Sequence, residues 1–345
     1  MLRLPRFTYL EPLSLDDAIR MRAESGDDAS FVAGGTDLYP NMKRRQQTPR
    51  TVIALQRVRE LQAITGTPRD GMTIGAGVTL TALGAHPVIA EHYPAVAHAA
   101  AVVSTPLLRN MGTIGGNLLL DTRCNYYDQT YEWRKAIHFC MKKDGEICWV
   151  APSSPRCWAV QSSDGVPVAV AIGAEVTLAS ARGERRIPAA ELYNNDGMRY
   201  LTKAPDELLV AYHLPPAGDA TRTEGRWRAT YHKLRRRGSF DFPVLGVAAR
   251  VDFNDDDTVR TARIVLGGVA SYPMEIPEAA RAIAGQRLDA ATIAAAADAA
   301  YRPAKPMDNT DFTLSWRKDM VRVYVQRALA EIADPGRLAR ASGAA

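Results

Sequence analysis

The stretch RNMGTIGGNLLLD (109–121) sets Gly115-Gly116-Asn117 between a polar turn and an apolar run. A second stretch, FVAGGTDL (31–38), carries a strand end, Phe31 to Ala33, into Gly34-Gly35-Thr36. In both, paired glycines let the backbone approach a ligand with no side chain in the way. A phosphate needs converging backbone N–H groups, and two such turns facing each other suit the two halves of a pyrophosphate. Either turn taken alone reads more simply as the end of a strand. Gly75-x-Gly77 makes no dinucleotide fingerprint, because the third glycine would fall at Leu80, where no crossover helix is expected.

Downstream of the second turn, all four cysteines of the chain (Cys124, Cys140, Cys148, Cys157) fall within one window spaced C-x15-C-x7-C-x8-C. Clustered thiols in a reducing compartment lean toward a metal site. Zinc knuckles use close C-x2-4-C pairs, which are absent here, whereas four spaced thiolates suit the four irons of a 4Fe–4S cluster. On spacing alone an iron–sulfur cluster, a zinc ion and unliganded or paired cysteines all stay open. Trp149 and Trp158, each directly after a cysteine, shield such a site or simply pack the segment. The six histidines form no ligand pattern.

The 345 residues predict two or three domains, and 46% hydrophobic with 23% charged residues excludes disorder and coiled coil. A net charge of +5 over this length, without aromatic interleaving, argues against nucleic acid as a partner. The start MLRLPRFTYLEP has no apolar leader-like run, and no stretch is long and apolar enough for a membrane span, so a cytoplasmic chain is expected.

Ser14 reads as the cap of a helix over 13–25, and TVIAL (51–55) and MTIGAG (72–77) read as strands. Helical stretches over 82–103 are broken at Pro87 and Pro94. Residues 121–161 lack a period, VPVAVAIGAEVTLAS (166–180) reads as strand, and so does DELLVAYHLP (206–215). AGDATRTEGR (217–226) reads as a domain boundary. Beyond it, strands at 229–237, 244–253 and 259–270 predict an antiparallel meander, followed by helices at 277–285, 290–301 and 312–333. Trp316, Val321, Val325 and Leu329 lie at helical spacing in the last of these. The fold class is α+β.

FVAGGTDLYPNMK, IGAGVTL, RNMGTIGGNL, PDELLVAYHLP and YHKLRRRGSFDFP, in this order, resemble the FAD-binding medium subunit of the xanthine oxidase family of molybdenum hydroxylases. The resemblance implies a vanillyl-alcohol-oxidase (PCMH-type) FAD fold over 1–220, with subdomains at about 1–56 and 57–220. It further implies a C-terminal domain over 221–335 of the CO dehydrogenase flavoprotein type, with a three-stranded antiparallel sheet and helices, and a tail at 336–345. It places the backbone of Val32, Ala33, Gly34, Gly35, Thr36 and Asp37, and of Thr113, Gly115, Gly116 and Asn117, around the FAD pyrophosphate. Thr36, Thr113 and Asn117 would add side-chain bonds, and Asp164, Leu209 and Lys233 would lie near the flavin. Lysine at the flavin edge would stabilise negative charge on the reduced ring.

The family aspartate follows the asparagine much sooner than Asp164 follows Asn117, so 121–161 looks inserted. The insertion is similar to that of the 4-hydroxybenzoyl-CoA reductase β subunits, where four cysteines hold a 4Fe–4S cluster. That likeness implies Cys124, Cys140, Cys148 and Cys157 as metal ligands and an electron-transfer subunit with no catalytic residue of its own. It also implies a molybdopterin-containing large subunit, a small subunit with two 2Fe–2S clusters, ferredoxin as donor and a dimer of heterotrimers. Two other readings remain: the FAD subunit of an aldehyde or N-heterocycle molybdenum oxidoreductase, and a zinc-stabilised binding protein without redox chemistry.

Overall fold

The structure is a computed structural model that describes residues 2–217 and 226–335. The expected boundary at 217–226 and the tail at 336–345 therefore lie almost wholly outside the described residues. The first unit is a parallel sheet of β1 (Thr8–Leu10), β2 (Ala29–Val32) and β3 (Thr51–Ala54) in the order β1-β3-β2, with helices α1 (Leu15–Ser25) and α2 (Leu38–Lys43). Ser14 caps α1 as expected, its hydroxyl accepting from Asp17 N at 3.1 Å.

The second unit is built on an antiparallel sheet of β4 (Ile64–Thr67), β5 (Gly71–Gly75), β6 (Glu175–Ser180), β7 (Gly183–Pro188) and β8 (Leu208–Leu214), in the order β4-β5-β8-β6-β7. Pro87 and Pro94 each begin a helix, which separates α3 (Leu80–Ala85), α4 (Pro87–His92) and α5 (Pro94–Ala101). A helix does open at Leu80, but β5 pairs antiparallel with both neighbours, so it is no βαβ crossover. Short helices α6 (Pro106–Arg109), α7 (Ile114–Leu118) and α8 (Tyr131–Ala136) follow.

The strand expected over 166–180 is only half right. Gly165–Ile172 forms helix α9, and β6 begins at Glu175. Every residue of α9 is buried, so the segment shows no polar face to betray its period. Gly173, at φ +73°, ends it, while Arg250 donates to Ile172 O at 2.7 Å. On its other side, Pro167 packs where a side chain on Gly267 would stand, which brings α9 against the C-terminal sheet.

That sheet has four strands rather than three: β9 (Trp227–Leu234), β10 (Leu245–Phe253), β11 (Val259–Gly267) and a two-residue β12 (Met274–Glu275), all antiparallel in the order β12-β11-β10-β9. Helices α10 (Pro277–Ile283), α11 (Ala290–Tyr301) and α12 (Leu314–Ala333) complete the domain. Val321, Val325 and Leu329 are fully buried on α12, each contributing about 1.5–3 kcal/mol. Trp316 does not join them: it is 37% exposed and stacks on Phe312 with ring centroids 4.6 Å apart.

Candidate flavin site and cysteine insertion

The two glycine turns meet. A Cβ built on Gly34 would stand 1.8 Å from Met111 O, so only glycine lets the first turn touch the second. The second turn is held from behind, with Leu80 N donating to Gly112 O at 2.8 Å, Ile114 N to Val78 O at 2.9 Å and Gly115 N to Ala76 O at 2.9 Å. Thr113 caps α7 by accepting from Gly116 N at 3.1 Å. Together the turns line a cavity of about 520 Å³.

Twelve of the thirteen expected cofactor residues line this cavity: Val32, Ala33, Gly34, Gly35, Thr36, Asp37, Thr113, Gly115, Gly116, Asn117, Asp164 and Leu209. Lys233 does not. Its ammonium lies behind the wall, 2.8 Å from Asp164 Oδ2 and 3.1 Å from Val102 O, while Tyr231 donates to Asp164 Oδ1 at 2.7 Å. Burial pushes the Asp164 carboxyl up and the Lys233 ammonium down, and each charge opposes the shift of the other. Asn117 spends its side-chain oxygen on the protein itself, accepting from Ser163 Oγ at 2.6 Å and Gly165 N at 3.0 Å.

Sequence reasoning assigned no site role to Arg123, Asp121, Tyr200, Lys203, Glu207, Phe240 or Phe242, all of which reach the cavity. Arg123 pairs with Asp37 of the first turn and, at 3.1 Å, with Asp128. Phe242 covers its guanidinium, 4.6 Å from ring centroid to Cζ. The signal for Arg123 was its place beside Cys124. The signal for the two phenylalanines was the RGSFDFP motif, quoted only for its resemblance.

The insertion leaves the cavity wall after Asp121 and Arg123, and the chain returns to it at Ser162 and Asp164. All four cysteines are buried and unpaired. Burial pushes the Cys124 thiol up to about 12 and the Cys157 thiol to about 11, and neighbouring thiols add to both shifts. Burial also raises Cys140, opposed by the N–H groups of Lys142 and Lys143 and by the charge of Arg134. Cys157 Sγ accepts from Ala159 N at 3.4 Å and fits only because residue 197 is glycine. Trp149 packs on this pocket and donates to Phe139 O at 2.5 Å, whereas Trp158 turns to Arg156, 3.6 Å from its ring. Lys142 is matched by Asp121 at 2.8 Å, Thr122 at 2.6 Å and Gly197 O at 2.6 Å. Among the described residues, no group of three or more His, Cys, Asp or Glu side chains is placed to hold a metal ion.

Residues 5–217 match the family described as FAD binding domain in molybdopterin dehydrogenase, and residues 229–332 match the CO dehydrogenase flavoprotein C-terminal domain. The chain is a FAD-binding medium subunit of the molybdenum hydroxylase family. Its fold is accordingly the PCMH-type FAD-binding fold followed by a C-terminal sheet-and-helix domain. This FAD-binding subunit is 30% identical to the aldehyde oxidoreductase FAD-binding subunit PaoB of Escherichia coli (strain K12), over 94% of this chain and 99% of that one. It is 27% identical to the 6-hydroxypseudooxynicotine dehydrogenase complex subunit alpha of Paenarthrobacter nicotinovorans, over 95% and 94% of the two chains. Among solved structures, a carbon monoxide dehydrogenase chain from Hydrogenophaga pseudoflava superposes with a TM-score of 0.77 at 26% identity, covering 96% of this chain and 98% of that one. Among the described residues of the FAD-binding subunit, no helix is long and apolar enough to cross a membrane.

Proposed function

We propose that this subunit holds FAD between the two glycine turns and relays electrons for a molybdopterin-containing large subunit and a small subunit with two 2Fe–2S clusters. The substrate class we assign to the complex is aldehydes or N-heterocycles. The contact of Gly34 with Met111 carries the first part, because it brings the two turns onto a single cavity with no Cβ between them. In this reading the backbone of Val32 to Asp37 holds the pyrophosphate against the glycines of Thr113 to Asn117, whose own N–H groups from Ile114 onward are spent on Val78 O, Ala76 O and Thr113, and Leu209 and Asp164 stand near the flavin. Lys233 acts through Asp164 rather than by contact. FAD supplies one- and two-electron transfer when bound. The substrate class rests on the names of the relatives, which include an aldehyde oxidoreductase and a nicotine-derivative dehydrogenase.

The four thiols are proposed to hold a 4Fe–4S cluster, which supplies one-electron transfer when bound. Their shared burial, their electrostatic action on one another and the N–H groups aimed at sulfur support it. Neither this cluster nor a single zinc ion draws support from the placement of the side chains, since among the described residues no group of three or more His, Cys, Asp or Glu is set to hold a metal ion.

A second reading, 4-hydroxybenzoyl-CoA reduction with ferredoxin as donor in a dimer of heterotrimers, is favoured only by the cysteine insertion. The complex purified anaerobically with its partner subunits separates the two. Oxidation of aldehydes or N-heterocycles with a dye acceptor supports the first; turnover only with 4-hydroxybenzoyl-CoA and a low-potential donor replaces it with the second. Protein that releases no FAD on denaturation overturns both.

A further inference from the structure

Among the described residues, five carboxylates line the flavin cavity: Asp37, Asp121, Asp164, Glu207 and Asp241. Bare carboxylates there would repel FAD, whose pyrophosphate is itself negatively charged. Each of the five is matched by a basic side chain. Lys142 meets Asp121 at 2.8 Å, Lys233 meets Asp164 at 2.8 Å, Arg185 meets Glu207 at 2.6 Å and Arg237 meets Asp241 at 2.5 Å. These four bases do not line the cavity and neutralise its wall from outside. Arg22 and Lys203, which do line it, donate to backbone carbonyls instead, Arg22 to Pro205 O at 3.2 Å and Lys203 to Ala204 O at 3.0 Å. The lining thus tolerates an anion in spite of its acids.

The fifth pair, Asp37 with Arg123, differs from the other four. Asp37 belongs to the first glycine turn, so in the reading given above it is the carboxylate set beside the phosphates. Although it stands directly before α2, its side chain makes no cap bond there and accepts from Asn41 Nδ2 at 3.1 Å and from Arg123 Nη2. Arg123 lines the cavity itself and is 11% exposed. It comes from the base of the cysteine insertion, where Arg123 N donates to Val160 O and Val160 N to Arg123 O, both at 2.8 Å. Its Nη1 is held by Asp128 at 3.1 Å, the Phe242 ring covers its face, and its buried Nε has no hydrogen-bond partner. Asp128 is fixed in turn by Cys124 N, which donates to its Oδ2 at 3.1 Å. The guanidinium is therefore anchored in the insertion while its charge is applied to the glycine turn.

We propose that Arg123 is a positioning residue for FAD: it acts through Asp37, cancelling the charge of that carboxylate so that the first glycine turn accepts the pyrophosphate. This rests on the reading of Val32 to Asp37 as the pyrophosphate turn. The inserted segment then contributes to flavin binding through its first residues, whatever its cysteines do. Charge rather than the shape of the contact is what the turn needs. Asp37→Asn keeps an oxygen that accepts from Arg123 and Asn41 but removes the negative charge. Arg123→Met does the opposite, leaving Asp37 unmatched beside the phosphates with Asp128 behind it.

The test uses the purified complex with its partner subunits, stripped of flavin and titrated with FAD, with binding read by the change in flavin fluorescence. Arg123→Met is expected to weaken FAD binding about tenfold or more. Asp37→Asn is expected to bind at least as tightly as wild type, and the double variant to regain most of the affinity lost in R123M. Wild-type affinity in R123M overturns the proposal. So does a double variant as weak as R123M, or weaker binding in D37N, because either marks the bond rather than the charge. Should R123M fail to fold, D37N decides: affinity at or above wild type upholds the role of charge, and weaker binding overturns it. Wild-type complex that takes up no FAD overturns the flavin reading itself, and the proposal falls with it.

Discussion

The ammonium of Lys233 sits 2.8 Å from the carboxylate of Asp164 across 69 residues of sequence, with side chains 3% and 4% exposed. Burial opposes charge on both, so the pair is poor as a stabilising device and is best understood as an electrostatic support beneath the flavin cavity. Lys233→Met strands the carboxylate and is expected to cost about 3–5 kcal/mol, whereas Lys233→Met with Asp164→Asn recovers most of that loss. In K233M the raised Asp164 pKa means that stability present at low pH is lost as pH rises. Thermal melts from pH 4 to 8 are therefore expected to show the gap to wild type widening with pH; a constant gap refutes the assignment.

Gly34→Ala places a methyl group on the Met111 carbonyl, a backbone atom that cannot step aside cheaply. Forcing the turns apart is expected to cost about 1–3 kcal/mol and, at 1.4 kcal/mol per factor of ten, to weaken FAD binding about tenfold or more. Flavin content after dialysis reads this directly. Retention of full flavin by folded G34A contradicts the central role of that contact.

Glu207, on the cavity wall, accepts from Arg185 at 2.6 and 2.9 Å and from Ala204 N at 2.6 Å, and the Arg185 bonds hold its carboxyl below the usual value of 4.5. A lowered carboxyl contributes stability above its unfolded pKa that is lost as pH falls. Arg185 is 44% exposed, so solvent screening limits the contribution to about 1 kcal/mol. Glu207→Gln is expected to melt lower than wild type at pH 7 and to match it at pH 3; equal melting at pH 7 shows that the pair adds nothing.

If the four thiols hold the proposed cluster, Cys148→Ser is expected to remove its iron and sulfide while leaving FAD bound, because Cys148 is buried in the insertion and does not line the flavin cavity. Metal analysis and the flavin absorbance band check the two sites separately. Loss of flavin with iron intact reverses the assignment.

What the sequence disclosed depended on whether a residue's partner was near it in the chain. The β-branched and apolar strands β9 to β11, the Ser14 cap and the proline helix starts declare themselves locally, and so do the glycine turns. Helix α9 does not, because burial on every side removes the polar face from which a period is read. Met274–Glu275 is too short to leave a strand pattern and exists as β12 only by pairing with Val265 and Leu266. The placement of Lys233 behind Asp164, and of Arg123 on Asp37, is tertiary, so composition and spacing could bring the right residues together without saying which would face the cavity.

Asn117 Oδ1 joins Ser163 and Gly165 across the base of the cysteine segment. With its two ends clasped by one amide, that segment is a cassette: whatever length is spliced between them, the framework on either side feels a fixed gap. Loop-closure entropy grows only slowly with length, so a long excursion costs the scaffold little. The same scaffold can then carry a longer or shorter segment at this point without redesign of the flavin cavity, because the anchor points stay put.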